Sequence, residues 1–311
     1  MSNTSNDFSP LGTDLFGEPI RQETDSPVAG KFIIPPFSVL NSREGSWQER
    51  KRGWSSMGIE SELGRDAPVI HCPNSSSDQP LKDDNYTSIF DPVLCELMYS
   101  WFTAPGWSVV DPFAGGSVRG IVAGALGRRY WGGELRGDQV RANRRQAAEI
   151  PVSVTPQWVE GDSAETMMSA PAADFVFSCP PYGDLEVYSD DPADLSTMEY
   201  HTFIAAYKRI ILRACSRLKD NRFAAFVVGD YRDKRGFYRD FVSETIKGFT
   251  NAGLHLYNEG ILVTSVGSAS MRVTKQFTAS RKFAKTHQNV LVFIKGDPRK
   301  AVAEMDAASG Q

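Results

Sequence analysis

Residues 107–134 read Trp-Ser-Val-Val-Asp-Pro-Phe-Ala-Gly-Gly-Ser-Val-Arg-Gly-Ile-Val-Ala-Gly-Ala-Leu-Gly-Arg-Arg-Tyr-Trp-Gly-Gly-Glu. A short apolar run (107–113) stops in a turn. Small residues at helical spacing (117–127) follow, ended by Gly127, and 129–134 is a second strand. Strand, tight crossover and strand make the βαβ unit of a parallel sheet. The pattern extends in both directions. Upstream, 89–102 carries Val93, Leu94, Leu97, Met98, Trp101 and Phe102 at helical spacing. Downstream lie a polar helix (138–149), strands at 158–162 and 174–182, a helix at 201–218, a strand at 222–231, a helix at 239–253 and strands at 259–266 and 288–296. Such alternation predicts an α/β fold, a mostly parallel sheet with helices on both faces. Ligands of these sheets bind beyond the carboxyl ends of the strands, where strand order reverses. The residues that end strands therefore carry the functional reading.

The 311 residues are 41% hydrophobic and 23% charged, with net charge -4, so any nucleic-acid site has to be a local basic patch. No uncharged apolar run nears the ~20 residues of a membrane span. The N-terminus lacks the basic start and apolar stretch of a secretory signal. Cys72, Cys95, Cys179 and Cys215 form no CxxC pair, which argues against a disulfide framework or a zinc site. The expectation is a cytoplasmic protein without a metal. Polar residues 1–31 predict a disordered tail, and 32–82 an N-terminal extension and linker. Within the extension, Ser46 or a neighbour is expected to cap a short helix bearing Trp47, Arg50, Lys51 and Trp54. The main domain is expected over 83–297, followed by a flexible C-terminus at 298–311.

The first strand ends in Asp111-Pro112-Phe113-Ala114-Gly115-Gly116-Ser117. Paired glycines allow a sharp turn and let a ligand approach bare backbone, and the amides of the following helix favour an electron-rich group. The run is neither a GxGxxG dinucleotide fingerprint nor a phosphate loop. An ordinary glycine turn before a crossover helix reads equally well. The second strand ends in Glu134, where α/β nucleoside-binding folds hold a ribose diol; its bland reading is a solvated surface glutamate. A third strand ends in Gly161-Asp162, placed to meet an adenine edge. The three strand ends together outline a nucleoside site with no phosphate-binding device.

The fourth strand ends in Ser178-Cys179-Pro180-Pro181-Tyr182. Prolines donate no main-chain hydrogen bond, so they leave the Cys179 and Pro180 carbonyls as acceptors beside an aromatic ring. Rigid acceptors next to a stacking face suit an amino group on a flat heterocycle, with stacking worth ~1–3 kcal/mol.

The glycine turn followed by Cys179-Pro180-Pro181-Tyr182 resembles the S-adenosylmethionine-dependent DNA amino-methyltransferases, which methylate adenine N6 or cytosine N4. The resemblance covers about 86–296 and includes Phe90-Asp91-Pro92-Val93-Leu94 and the final strand His287–Gly296. Residues 32–63 look like the N-terminal part of phage-type DNA methylases. The resemblance implies a Rossmann-like class I methyltransferase fold with S-adenosylmethionine as cofactor. It implies that Phe90 and Asp91 flank the cofactor. Asp111, Phe113, Gly115 and Gly116, with Pro112 and Ser117 in the same turn, hold its methionine part; Glu134 takes the ribose hydroxyls and Asp162 the adenine. Cys179, Pro180, Pro181 and Tyr182 are then the catalytic set, receiving a flipped base. Cys179 departs from the Asp, Asn or Ser usual at its position, and a thiol is a weak acceptor. Three alternatives stay open: RNA or tRNA base N-methylation, a Cys179 nucleophile for carbon methylation of cytosine, and cofactor and DNA binding without catalysis.

For the nucleic acid, residues 260–296 hold no Asp or Glu but contain Arg272, Lys275, Arg281, Lys282, Lys285 and Lys295, interleaved with Phe277 and Phe283. This is the composition of a phosphate-contacting surface, and 260–288 is the expected DNA-contacting insertion, its bland reading a flexible linker. Arg43, Arg50, Lys51 and Arg52 with Trp47 and Trp54 form a second basic-aromatic segment, whose alternative is a helix packing its tryptophans on the main domain. DNA is the expected partner, with RNA as the alternative and no membrane. Against this stand Asp184, Glu186, Asp190, Asp191, Asp194 and Glu199 after Tyr182, an acidic run that opposes DNA. Nothing in the residues sets an oligomeric state.

Overall fold

The computed structural model describes residues 32–59, 90–183, 189, 191–266 and 269–310, with the side chain of Arg272 left undescribed. The expected tail, the linker at 64–82, Cys72 and the acidic residues Asp184, Glu186 and Asp190 lie outside the described residues.

In chain order, β1 (Val39–Asn41) and α1 (Gly45–Ser56) precede α2 (Pro92–Phe102). Then come β2 (Ser108–Asp111), α3 (Val118–Ala125), β3 (Arg129–Glu134), α4 (Gly137–Glu149), β4 (Gln157–Glu160), a short α5 (Ser163–Thr166) and β5 (Ala173–Ser178). The second half runs through a 3-10 turn (Leu195–Thr197), α6 (Tyr200–Arg217), β6 (Leu218–Val228), α7 (Phe241–Asn251), β7 (His255–Val263), α8 (Ala269–Ser280), β8 (His287–Lys295) and α9 (Pro298–Ser309).

The eight strands form one sheet in the order β1-β7-β8-β6-β5-β2-β3-β4. All neighbours are parallel except that β8 runs antiparallel to both β6 and β7. The chain moves outward from β2 through β3 to β4, then crosses back to place β5 on the other side of β2. Strand order reverses there, between β2 and β5.

Both faces of the sheet are covered, as the alternation of its strands requires. Val109, Phe175, Phe177, Ala225 and Val227 point into a core shared with Trp47, Leu94, Leu97 and Ile121 of α1, α2 and α3. Val110, Val176, Ala224, Phe226 and Val228 point the other way, into a core with Phe203, Tyr207, Phe241 and Phe249 of α6 and α7. Burying a side chain such as Phe175 or Leu97 contributes about 1.5–3 kcal/mol, and dozens do so here. The result is the Rossmann-like, doubly wound α/β fold expected from the βαβ pattern.

At the ends, the N-terminal extension docks on the main domain, and two expectations are corrected: the Ser46 cap and the flexible C-terminus. The stretch from Phe32 to Ile59 is part of the sheet assembly. Strand β1 pairs in parallel with β7 at Val39–Ile261, and α1 docks on α2. There Arg50 makes two 2.6 Å bonds to Glu96, Trp54 Nε1 donates to Glu96 at 2.8 Å, and Trp47 Nε1 donates to Asp91 at 3.2 Å. Helix α1 begins after Glu44, with no side-chain cap from Ser46 or any other residue. At the other end, 298–309 forms α9 where a flexible tail was expected. Asp297 caps it by accepting from the amides of Arg299 and Lys300, Pro298 occupies its first turn, and Glu304 pairs with Arg222 at 2.5 Å.

Residues 260–288 are likewise no linker: they contain the end of β7, helix α8 and the start of β8. Among the described residues, no helix is long and apolar enough to cross a membrane.

Candidate active site

The turn after β2 is pinned from below. Asp111 is wholly buried and accepts four hydrogen bonds: from Arg119 Nε at 2.6 Å, Tyr130 Oη at 2.7 Å, Ser178 Oγ at 2.5 Å and the Phe113 amide at 3.0 Å. A carboxylate so occupied has nothing left for a ligand. The expectation that Asp111 contacts a bound cofactor is therefore corrected: it holds the ends of β2, β3 and β5 together beneath the turn. Arg119 also donates to the carbonyls of Phe113 at 2.5 Å and Ala114 at 2.9 Å, and covers the Phe90 ring at 4.5 Å. Burial disfavours its charge, but the Asp111 carboxylate outweighs this and holds the guanidinium pKa above its ordinary value.

Above the pinned turn lies a cavity at the carboxyl ends of β2, β3, β4 and β5, where strand order reverses. Phe90, Phe113, Gly115, Gly116, Glu134 and Asp162 line it, and so do Cys179, Pro180, Pro181 and Tyr182. Residues from four successive strand ends thus meet in one space. Pro112 lines it as well; Asp91 and Ser117 do not. Asp91 caps α2 by accepting from the Val93 amide at 2.9 Å, and Ser117 is buried against Gln146. Both positions, expected beside the cofactor, sit in the frame around the cavity.

Gly115 sits at φ +51, with nothing within 4 Å of where a Cβ would be, so a side chain there would enter the cavity. Its amide donates to Glu134 Oε2 at 2.9 Å, and the Arg136 amide donates to Oε1 at 2.9 Å. Glu134 is fixed by the two amides with a lone pair left on each oxygen. Burial raises its pKa, and the two amides oppose that rise. Asp162 accepts from the Ala164 amide at 2.8 Å, which caps α5 and fixes its carboxylate at the cavity edge.

On the far wall, Gln288 Nε2 donates to the Tyr182 hydroxyl at 2.7 Å. The Tyr182 ring meets Tyr231 and Phe241 edge-on, with centroids 6.3 and 5.9 Å away. Burial pushes its pKa well up, so the phenol stays neutral. The Pro180 carbonyl takes no hydrogen bond among the described residues.

Sequence reasoning missed several lining residues. Leu135 and Arg136 directly follow Glu134, an adjacency that was a usable signal, and Gln139 lies in the first turn of α4. Arg119 lies within the crossover helix, where it read only as a helical position. Asp194 and Leu195 come from the acidic run. Asp194 is buried, accepting from the Ser196 amide at 2.8 Å and from Ser189 Oγ at 2.9 Å, so part of the acidic charge is folded inward.

Of the basic set, Lys285 reaches the site: it donates to the Asp230 carbonyl at 3.2 Å, and an added Cβ on Gly229 would meet both its ammonium and the Tyr182 ring within 4 Å. Lys275, Arg281 and Lys282 lie on α8 and just after it, where Phe277 and Phe283 stack at 5.9 Å and Arg281 covers Phe277 at 5.2 Å. The backbone of Arg272 is in α8. In the second basic-aromatic segment, Trp47 and Trp54 are buried on the main domain, as its alternative reading had it.

No protein-family model matches the chain, and no curated protein sequence does. Solved structures similar in fold include TrmN from Thermus thermophilus, 16% identical with a TM-score of 0.45 over 66% of this chain and 49% of that one. Magnesium protoporphyrin IX methyltransferase from Synechocystis, solved with bound SAM, is 13% identical with a TM-score of 0.44, over 66% of this chain and 79% of that one. Precorrin-6y C5,15-methyltransferase from Geobacter metallireducens is 15% identical with a TM-score of 0.42, over 74% of this chain and all of that one. The chain spans about half the length of TrmN. At this level of similarity the fold rests on the chain's own strand order.

Proposed function

We propose that this chain is an S-adenosylmethionine-dependent methyltransferase acting on an exocyclic amine of a DNA base, adenine N6 or cytosine N4. One observation carries the reading: the Gly115-Gly116 turn, Glu134, Asp162 and the Cys179–Tyr182 run border a single cavity.

The donor set suits the cofactor. Glu134 has lone pairs for two ribose hydroxyls, Asp162 presents a carboxylate to an adenine amine, and Gly115 leaves space a side chain would fill. Arg119 Nη1, which makes no hydrogen bond among the described residues, is a cation for the methionine carboxylate. When bound, the cofactor supplies an electrophilic methyl group.

The chain's own residues hold the acceptor amine. A base inside a duplex cannot reach this recess, so it has to be extruded. Tyr182 offers the base a ring face whose orientation Gln288, Tyr231 and Phe241 fix. The Pro180 carbonyl accepts an amine hydrogen and stabilises the positive charge that builds on nitrogen. Cys179 contributes little as an acceptor, so this duty falls on the main chain. Positioning supplies much of the remainder, and the departing proton passes to water.

The test incubates the purified chain with labelled cofactor and duplex DNA, single-stranded DNA or tRNA, then digests the products to nucleosides for mass analysis. N6-methyladenine or N4-methylcytosine from DNA is the expected product. Label in RNA alone, 5-methylcytosine, or no label in any substrate would overturn the reading.

A further inference from the structure

Between β6 and α7 the chain makes a hairpin, residues 230–240, whose Tyr231 packs on Tyr182 and whose remaining residues lie outside the cofactor pocket. It is rigid. The Arg239 amide donates to the Tyr231 carbonyl at 2.9 Å, and the Asp233 amide to the Phe237 carbonyl at 2.8 Å. Asp233 Oδ1 accepts from the amides of Arg235 at 3.0 Å and Phe237 at 2.9 Å, and Arg232 Nη1 donates to the Gly236 carbonyl at 2.9 Å. On this frame Arg232 covers the Tyr238 ring at 3.9 Å and Arg235 lies 5.6 Å from the Phe237 ring. Phe237 is 65% exposed and Tyr238 49%, so packing does not account for them. Arg232, Lys234, Arg235 and Arg239 stand against Asp230, Asp233 and Asp240, which leaves the hairpin positive by one in a chain whose net charge is -4.

Two contacts tie the hairpin to the chemistry. A second, polar cavity opens beside Gly183, the residue after Tyr182, lined by Lys234, Arg235, Arg239 and Tyr200. Arg239 stacks over Tyr200 at 4.5 Å, and its Nε is buried with no hydrogen-bond partner. Two carboxylates also border this cavity: Asp233 accepts from the hairpin amides through Oδ1 and from Arg235 Nε at 3.3 Å through Oδ2, and Glu199 is exposed to solvent. On the other side the Lys282 ammonium lies against Gly236, where a Cβ would collide with it, and Lys285 sits 6.0 Å from the Tyr238 ring. The hairpin thus joins the base motif to the basic stripe that follows α8.

We infer that the hairpin grips duplex DNA, with the Arg235–Arg239 cavity taking the phosphate beside the extruded nucleotide and Phe237 offering a stacking face to a neighbouring base. The inference rests on the amino-methylation reading for the choice of DNA. Anion and base recognition follow from charge, exposed aromatic surface and the orphaned Arg239 nitrogen.

The experiment measures binding of a labelled duplex against salt concentration for the wild type, the Arg235→Ala/Arg239→Gln double variant, Phe237→Ala, and a control, Arg299→Ala, on α9. Each phosphate no longer neutralised lowers the slope of log K against log salt by about 0.9, so the double variant, which empties the one phosphate site, should lose about that much. Phe237→Ala, at an exposed position that folding does not need, should weaken binding roughly fivefold or more, and the control should match the wild type. Wild-type slope and affinity in both hairpin variants would overturn the inference, as would a wild type that binds only RNA. Methyl transfer by the wild type to the same duplex is measured in parallel. Transfer with indifferent hairpin variants sinks the hairpin alone, whereas hairpin-dependent binding without transfer sinks the functional reading alone.

Discussion

Arg119 Nε donates to Asp111 Oδ2 at 2.6 Å, and both side chains are almost wholly removed from water. The pair lies directly beneath the cavity turn, so it sets the height of Phe113 and Ala114, whose carbonyls Arg119 also binds. Removing one member strands the other charge in a dry site, at a cost of about 3–5 kcal/mol. Arg119→Ala is expected to lower the unfolding free energy by that amount. The Asp111→Asn/Arg119→Met double variant should lose less than the sum of its single changes, because neither charge is left alone. Urea denaturation reads both; a loss below about 1 kcal/mol for Arg119→Ala would contradict the role assigned to the pair.

Gly115→Ala separates strain from occlusion. A residue with a Cβ at φ +51 costs about 1–2 kcal/mol, and here the methyl group also enters the cavity. Gly127→Ala, at φ +76 with only Pro105 at 4.0 Å, imposes comparable strain without touching the site. Both variants should melt early by a similar margin, but only Gly115→Ala should weaken cofactor binding, measured calorimetrically. Equal cofactor affinity in the two would remove Gly115 from the site.

The parallel sheet was legible because each βαβ unit is local: strand 129–134 is found where its residues place it, and α4 begins one residue before the expected 138. Asp111 misled because its partners are tertiary. Tyr130 and Ser178 lie 19 and 67 positions away in sequence, and only the folded sheet brings them onto one carboxylate. Strand β1 is three residues long and pairs with β7 more than two hundred positions later, which no local period can announce. Helix α9 carried readable signals in Asp297 and Pro298. It buries only Ala301, however, so its apolar face was too narrow to stand out from a polar tail.

Cys179 distinguishes amine methylation from attack on ring carbon. If the main-chain carbonyl of Pro180 holds the amine, Cys179→Ser keeps the backbone geometry, and kcat should stay within about tenfold of wild type. A thiolate nucleophile would instead be lost outright in the serine variant. Tyr182→Ala removes the stacking face and should abolish transfer. Tyr182→Phe keeps the ring and loses the hydroxyl's hydrogen bonds with Gln288 and Cys179, each worth about 0.5–1.5 kcal/mol. Loss of activity in Cys179→Ser with full cofactor affinity would reverse the assignment.

Glu134 predicts a pH dependence whose sign follows from its surroundings. Burial raises its pKa, with the Arg136 and Gly115 amides pulling the other way. A carboxyl raised in the fold stabilises the protein below the unfolded value, and that contribution fades as pH rises through the folded one. Cofactor binding runs in the opposite direction, because only the carboxylate can accept both ribose hydroxyls while keeping its two amides. Affinity should be full at neutral pH and fall on acidification sooner than an ordinary glutamate would dictate. Glu134→Gln cannot titrate, so its profile should be flat across that window. At neutral pH it should bind roughly ten- to a hundredfold more weakly, the worth of a hydrogen bond to a charged group. Isothermal titration from neutral to mildly acidic pH checks this; parallel wild-type and Glu134→Gln profiles would show that the carboxylate does not hold the sugar.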